Sequence, residues 1–410
     1  MKRAHQKQMK YARFWDFATL VVHAVLAFSG LVQAEVPNVP DADWEQLDEI
    51  RPKSGSAAGL LGFSTDGSRL IYTAGEELVV YDLKSKSSRR MWLPSNSFGP
   101  RLQSVSRDGR YFAIRVWKNK VECFSLVDFR RIGVLDFGET RVESLAFSRD
   151  GKYLAVALEG DGPTTQNPTK LPESRIKFYE VTNWQCFAEV RLSLAQIDQL
   201  IVPGHGKFLF ASDQSFGSPA ILVPWILEDV PPKVVRGQVL HALYPLVTDS
   251  LMWMSLSEDD KTLATIYANG VCRIYSCENW EQPSFVIPTP ASLILRDSNC
   301  YYPFGCISPS GRYLYVLAEE FDPPEQEEVT RSVLKVWDLK ARRICKTVSC
   351  NPDWEFWVAA ISRDGTKLAI SSHLRRLPAV ENDKQSSQGR IVIWKVPQQY
   401  VDGLAADPRK

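Results

Sequence analysis

A five-residue segment that recurs along the chain constrains the fold more than any other feature. It consists of an apolar residue, Ser, a variable residue, Asp and Gly, and a second apolar run follows it. Five copies are clear, one of them with Ser in place of Asp: Phe63–Gly67, Val105–Gly109, Phe147–Gly151, Ile307–Gly311 and Ile361–Gly365. Degenerate copies at Pro203–Lys207 and Leu256–Asp260 bring the number to seven. Counted between the turn glycine positions, with Gly206 and Asp260 in the degenerate copies, the spacings are 42, 42, 55, 54, 51 and 54 residues. A repeat of this length predicts a series of similar structural units.

The chemistry of the segment is that of a tight hairpin. Asp-Gly between two apolar runs supplies the positive φ angles that a short β-turn requires. Asp66, Asp108, Asp150 and Asp364 are therefore interpreted as turn formers and not as catalytic acids.

Two further columns of residues keep the same register. Small residues precede the turn, at Gly62, Ser104, Ala146, Ser255, Cys306 and Ala360. An aromatic residue follows it near the end of a later strand, at Tyr81, Phe124, Tyr179, Trp225, Tyr275, Trp337 and Trp394. Small side chains fit where inner strands crowd toward an axis, and the aromatic side chains are expected to pack between neighbouring sheets. Each unit is read as four short strands.

The segment Val336-Trp337-Asp338-Leu339 resembles the signature that ends a repeat of the WD-repeat family, and Tyr81-Asp82 is a near match. The resemblance runs from about Leu60 to Val396. The Gly-His dipeptide that opens many repeats of that family is absent, and most copies lack Trp-Asp. We therefore predict an all-β fold, a seven-bladed β-propeller of four-stranded antiparallel blades over residues 60–397.

The last repeat lacks an outer strand in sequence. After Val396 the chain continues into Pro397 and a polar tail at 398–410. Since a propeller leaves few exposed edges, we predict that a strand near Trp44 to Arg51, within a linker of residues 35–59, closes the ring.

The first 34 residues have the layout of a secretory signal. Met1 to Phe17 is basic, Ala18 to Ala34 is apolar, and Val32-Gln33-Ala34 fits a cleavage site before Glu35. This predicts a periplasmic or secreted protein. The alternative is an uncleaved anchor at residues 18–34, since 17 apolar residues approach the length that spans a bilayer. Contact with a membrane is expected only in that case.

The charge balance argues against nucleic acid as a partner. Without the leader the chain carries 44 basic and 47 acidic residues, a net charge of −3. This is not the basic footprint of a nucleic-acid-binding protein.

Three long loops join second to third strands, and they are expected on one face of the ring. They are Glu159–Ser174 in blade 3, Glu319–Arg331 in blade 6 and Ser372–Gln388 in blade 7. Loops on a rigid scaffold are the usual binding surface. The candidate contact residues are Glu319, Glu320, Asp322, Glu325, His373, Arg375, Arg376, Trp354 and Trp357. Solvated loops without a ligand remain the alternative.

The sequence contains no pattern typical of an active site. Outside the leader the histidines are His205, His241 and His373, and neither a Gly-x-Ser-x-Gly motif nor a phosphate-binding glycine loop is present. We predict no enzymatic activity, no metal and no cofactor.

The WD-type resemblance implies a scaffold that binds a protein partner, whose identity the sequence does not give. Two alternatives stay open. One is a lactonase-like hydrolase, which requires carboxylates, His or Arg to converge in the axial channel. The other is a carbohydrate- or cell-wall-binding propeller that exposes Trp354 and Trp357.

All eight cysteines follow the leader. Cys272 with Cys277, and Cys345 with Cys350, are too far apart along an extended strand to bridge easily. Cys300 with Cys350 is the candidate disulfide, and buried free thiols are expected for the others.

Overall fold

The computed structural model describes residues 44–56, 58–94, 102–161, 173–192, 197, 199–203, 208–212, 222–228, 233–235, 251–267, 271–277, 283–287, 305–321, 329–349, 354–374 and 389–401. Their regular structure is almost entirely β-strand. The leader, the candidate disulfide Cys300–Cys350 and most of each long loop lie outside these ranges.

Strand β1 (Glu45–Ile50) precedes six blades, and each blade consists of four consecutive antiparallel strands. Blade 1 contains β2 (Ala58–Phe63), β3 (Arg69–Ala74), β4 (Glu77–Asp82) and β5 (Ser87–Trp92); blade 2 contains β6 (Gln103–Val105), β7 (Tyr111–Val116), β8 (Lys120–Ser125) and β9 (Arg130–Asp136); blade 3 contains β10 (Val142–Phe147), β11 (Tyr153–Asp161), β12 (Glu173–Glu180) and β13 (Cys186–Leu192).

The second half continues the pattern. Blade 4 contains β14 (Gln199–Ile201), β15 (Phe208–Ser212), β16 (Leu222–Glu228) and β17 (Lys233–Val235); blade 5 contains β18 (Leu251–Leu256), β19 (Thr262–Tyr267), β20 (Cys272–Ser276) and β21 (Phe285–Ile287); blade 6 contains β22 (Gly305–Ile307), β23 (Tyr313–Phe321), β24 (Val329–Asp338) and β25 (Arg343–Ser349). The last strands are β26 (Trp354–Ile361), β27 (Lys367–Leu374) and β28 (Gly389–Lys395).

The predicted count of seven blades is corrected: six blades are uninterrupted four-strand units. The seventh turn segment belongs to a composite sheet with strand order β1-β28-β27-β26. Here β1 pairs antiparallel with β28, from Glu45 opposite Lys395 to Ile50 opposite Ile391. The physical reason is that no strand follows β28 among the described residues, so the open edge of β28 pairs with β1 instead.

The first strands of the sheets surround a common axis. β2, β6, β10, β14, β18, β22 and β26 contact one another in that order, and β26 also contacts β2. The described strands therefore form a closed ring.

The Asp-Gly turns are built as predicted, with the Asp side chain bonded inside its own turn. Ser106 Oγ donates to Asp108 Oδ1 at 2.6 Å, and the Tyr111 backbone N–H donates to Ser106 Oγ at 2.8 Å. The same pair of bonds occurs at the turns that begin with Ser64, Ser148, Ser257 and Ser362. The turn Gly has positive φ, for example +69° at Gly109, and Asp260 takes this role at +58°.

The aromatic column packs between neighbouring sheets, which confirms that prediction. Trp337 of blade 6 lies in one apolar cluster with Ile274 and Ile287 of blade 5. Tyr81 of blade 1 joins Ile391 and Ile393 of the composite sheet. Where the side chain is described, each sheet thus packs its aromatic residue against the sheet that precedes it.

A second contact between sheets repeats near the outer edge. A residue one or two positions before the fourth strand has a left-handed φ in four sheets, at Lys86, Phe129, Trp184 and Arg342. Each of them meets the outer strand of the preceding sheet: Lys86 pairs with Asp48 at 2.6 Å, Arg89 lies 4.5 Å from the Phe129 ring centre, Trp184 packs on Gly133, and Arg342 lies 5.2 Å from the Phe285 ring centre. Strand β1 therefore contacts blade 1 in the same way as β5 contacts blade 2.

The turn hydrogen bonds predict a pH dependence of stability. The Ser64 hydroxyl, together with the backbone N–H and hydroxyl of Ser68, lowers the pKa of Asp66 to about 2. An Asp in the unfolded chain has a pKa of about 3.9, so the charged form stabilises the fold above about pH 4, and this contribution is lost as the pH falls toward 2. We expect the urea midpoint of the natural protein to exceed that of Asp66→Asn at pH 7, and the difference to shrink between about pH 4 and 2. The control is Glu139→Gln, an equal charge change on a fully exposed side chain. A difference for Asp66→Asn that does not vary with pH would contradict this assignment.

Candidate functional site

The two ends of the propeller differ in their connections. One end carries the Asp-Gly turns and the turns between third and fourth strands, and we call it the turn end. The other end carries the connections between second and third strands and those between blades, and we call it the loop end. The three long loops belong to the loop end, since they connect β11 with β12, β23 with β24, and β27 with β28.

The structure shortens these three loops relative to the prediction. Glu319 and Glu320 lie in β23, where they pair with Ser332 and Arg331 of β24. His373 lies in β27 opposite Gly389. The loops are shorter than predicted because the strands of each hairpin continue to pair beyond the expected end of the hairpin. Asp322, Glu325, Arg375 and Arg376 fall outside the described residues.

Three of the predicted contact residues come together on the composite sheet. His373 Nε2 lies 3.2 Å from Glu355 Oε2, and Glu355 is only 3% exposed. The Trp357 ring meets the His373 ring edge-on, with ring centres 5.4 Å apart. Nearby, the Arg390 guanidinium lies 3.9 Å from the Trp354 ring centre. Both tryptophans are half-buried, so neither offers a fully open ring face.

A groove of about 180 Å³ separates blade 6 from the composite sheet. Apolar and aromatic side chains form most of its wall, among them Trp44, Phe356 and Trp394, and Ser372 and Arg390 add polar groups. Arg390 Nε donates to Ser372 Oγ at 3.2 Å. The Trp44 indole N–H is buried and has no hydrogen-bond partner among the described residues. This void is large enough for one ring-sized side chain.

Two exposed tryptophans lie elsewhere on the loop end, on neighbouring blades. Trp92 ends β5 opposite Glu77 and is 73% exposed. Trp117 lies in the turn between β7 and β8 and is 62% exposed. Its φ is +58°, a conformation that a bulky residue rarely adopts. Neither indole gains much from burial within the chain.

The turn end contains a charged cluster that crosses the ring. Arg107 of blade 2 and Arg363 of the composite sheet both form ion pairs with Glu258 of blade 5, the latter at 3.6 Å. Arg149 of blade 3 pairs with Asp260 and also donates to the backbone carbonyls of Leu256, Ser257 and Glu258. Blade 2 and blade 5 are not neighbours, so their side chains can meet only at the axis. We call these five charged residues the axial cluster.

The electrostatics of the axial cluster are those of crowded cations. It contains three guanidinium groups and two carboxylates. Burial, with repulsion from Arg149 and Arg363, lowers the pKa of Arg107 to about 8. Burial likewise lowers the pKa of Arg149 to about 10, and Asp260 opposes that shift.

Sequence reasoning missed the axial cluster, although the signal was present. Four of its members, Arg107, Arg149, Glu258 and Arg363, occupy the variable position between Ser and Asp in their turn segments. A column of charge at one position of a ring repeat predicts convergence at the axis, whereas each residue alone looks like an ordinary turn residue.

Six cysteines fall within the described ranges, and all are free thiols: Cys123, Cys186, Cys272, Cys277, Cys306 and Cys345. Within the same ranges, no three His, Cys, Asp or Glu residues are grouped so as to hold a metal ion. Nor does this part of the chain contain a helix long and apolar enough to cross a membrane.

The axial cluster predicts a large stability cost when its best-bonded member is removed. Arg149→Met retains the length of the side chain but removes the charge opposite Asp260 and the donors to blade 5. We expect a loss of about 3 kcal/mol in the free energy of unfolding, measured by urea titration. Lys152→Met, an exposed member of an ion pair on the same turn, is expected to lose less than about 1 kcal/mol. Equal losses in the two variants would show that Arg149 does not tie the blades together.

Comparison with known proteins identifies the fold and not a family. The chain matches no family model and no curated protein. Among solved structures it is similar to a WD40-type propeller, "Structure of U3-55K", with a TM-score of 0.58 and 11% sequence identity, covering 87% of this chain and 99% of that chain. At this identity the similarity supports the β-propeller fold alone.

Proposed function

We propose that the protein is an interaction scaffold that binds another protein with its loop end. The observation that carries the proposal is the pair of exposed tryptophans, Trp92 and Trp117, on adjacent blades of that end. Aromatic anchors of this kind supply much of the binding energy in protein interfaces. A propeller fold is consistent with such a role.

The backbone at Trp117 supports a role in binding. Glycine or asparagine would occupy a left-handed turn position at lower cost, yet this turn holds a tryptophan that is mostly exposed. Burying one indole on a partner removes on the order of 150 Å² or more from water. At roughly 25 cal/mol per Å², burial of each tryptophan contributes several kcal/mol to the free energy of binding, before the entropic costs of association are subtracted.

The charged segments of the same end would form the rim of this surface. Trp117 has exposed charged neighbours, Lys118 and Glu139, whose side chains are 65% and 98% exposed. On blade 6 and the composite sheet, Glu319 and Glu320 near the loop-end terminus of β23, and His373 near that of β27, are proposed as further charged members of the rim. Such a rim favours a partner that offers apolar anchors with charges of both signs around them.

A hydrolase at the axis is the second candidate, because the axial cluster brings together the Arg and carboxylate groups that this hypothesis requires. Both carboxylates, Glu258 and Asp260, form ion pairs with arginine. Guanidinium donors occupy oxygens of both carboxylates, so neither is free to accept a proton from a substrate. We therefore propose a function without catalysis.

We also propose that the protein acts outside the cytoplasm. The support is the leader, with its basic segment, apolar segment and Val32-Gln33-Ala34.

The scaffold proposal predicts that capture of a partner depends on the tryptophans. From an envelope fraction of the source cells, the natural protein should retain a partner that the double variant Trp92→Ser and Trp117→Ser loses. Val127→Ser is the matched control, because Val127 is 62% exposed but lies in a turn at the turn end. Circular dichroism should show all three proteins folded. Retention of the same partner by the double variant would exclude this surface.

The export proposal predicts a mature protein that begins at Glu35. Mass spectrometry of the protein purified from its source gives the N-terminal residue directly. A chain that is folded, membrane-bound and still begins at Met1 would instead support the anchor at residues 18–34.

A further inference from the structure

The axial cluster has more cationic groups than its acidic groups can pair. Arg149 is fully engaged, with Asp260 and three backbone carbonyls of blade 5 around its guanidinium. Arg107 and Arg363 remain, and Glu258 is the carboxylate that pairs with both of them among the described residues.

The donor count shows the same imbalance. A guanidinium carries five N–H donors, and a carboxylate offers about four acceptor sites. Two guanidinium groups together carry about ten N–H donors, so one carboxylate can accept from fewer than half of them. The imbalance is costly here, because these charges are partly withdrawn from water.

The cluster is open to solvent on one side. The Arg363 side chain is 42% exposed, whereas Arg107 and Glu258 are 22% and 18% exposed. A small ligand that arrives at the turn end would therefore meet Arg363 first, with Arg107 behind it. Thr65 helps to fix the position of Arg107, because its hydroxyl donates to the Arg107 carbonyl at 2.9 Å.

We propose that the axis at the turn end binds a small oxyanion, a phosphate or carboxylate group, between Arg107 and Arg363. The Glu258 carboxylate pairs with both arginines when the site is empty, so it competes with the oxyanion for them. The bound oxyanion replaces part of the Glu258 contact, supplies additional acceptors and reduces the repulsion among the three guanidinium groups. This site is separate from the protein-binding surface of the loop end, so either proposal can fail without the other.

Calorimetric titration with inorganic phosphate tests the site, with chloride used to hold ionic strength constant. Acetate is titrated in parallel to distinguish a carboxylate site from a phosphate site. We expect saturable binding of one anion per chain, and about tenfold weaker binding in Arg363→Gln, which loses a charge-assisted contact. Arg110→Gln is the matched control, since Arg110 is also exposed at the turn end and pairs with Asp108 outside the cluster.

A second variant separates ligand binding from a purely structural role. In Glu258→Gln the competing charge is removed, so phosphate should bind more tightly than in the natural protein and should raise the melting temperature by a larger amount. A structural ion-pair cluster predicts only a destabilised variant, with the same response to phosphate as to chloride.

The proposal is overturned if neither anion shows saturable binding, or if Arg363→Gln binds as tightly as Arg110→Gln. Saturable binding of either anion that is about tenfold weaker in Arg363→Gln than in Arg110→Gln supports it, and the anion that binds more tightly identifies the ligand class.

Discussion

The pairing of β1 with β28 is the interaction on which the rest of the structure depends. It covers the open edge of β28 with a strand that lies more than 300 residues earlier in the chain. Asp48 of that strand also accepts from Tyr81 at 2.8 Å and pairs with Lys86, so the same six residues join the composite sheet to blade 1. At the far side Trp44 packs near Tyr400, with ring centres 6.3 Å apart. A ring held in this way positions both of the proposed binding surfaces.

The two ends of the closed ring present different kinds of side chain. At the turn end, charged side chains from blades 2, 3 and 5 and the composite sheet meet because the inner strands surround one axis. At the loop end, the strands continue into connections, and the indoles of Trp92 and Trp117 are exposed there. The first arrangement suits a small charged ligand, and the second suits the broad surface of a protein partner.

Much of the fold followed from local chemistry in the sequence. The Ser and Asp side chains bond within each turn, so the turn can be predicted wherever both residues occur. The aromatic column was predictable for a similar reason, because each blade repeats the same contact with the preceding sheet. The missing outer strand of the last repeat was also predictable, and β1 fills that place as expected. The count of seven uninterrupted blades was wrong, because the sheet that contains Ile361–Gly365 takes its fourth strand from β1.

The functional surfaces were harder to predict because they depend on register around the ring. Arg107 and Glu258 are 151 residues apart in sequence, and only the ring geometry brings them together. Trp92 and Trp117 hold no fixed place in the repeat, so nothing in the sequence distinguished them from the buried tryptophans. Both are exposed because they lie where a strand meets a connection at the loop end: Trp92 is the last residue of β5, and Trp117 directly follows β7.

The composite sheet is tested most directly by a cross-link between its two ends. Glu45 and Lys395 are exposed and lie opposite each other, so the double variant Glu45→Cys and Lys395→Cys should form an intramolecular disulfide on mild oxidation. The bond should be visible as a faster-migrating band on a non-reducing gel. Arg51→Cys with Lys395→Cys, displaced by about 20 Å along the strand, should not form it. Absence of the bond in the first variant, or equal bonding in both, would contradict closure of the ring by β1.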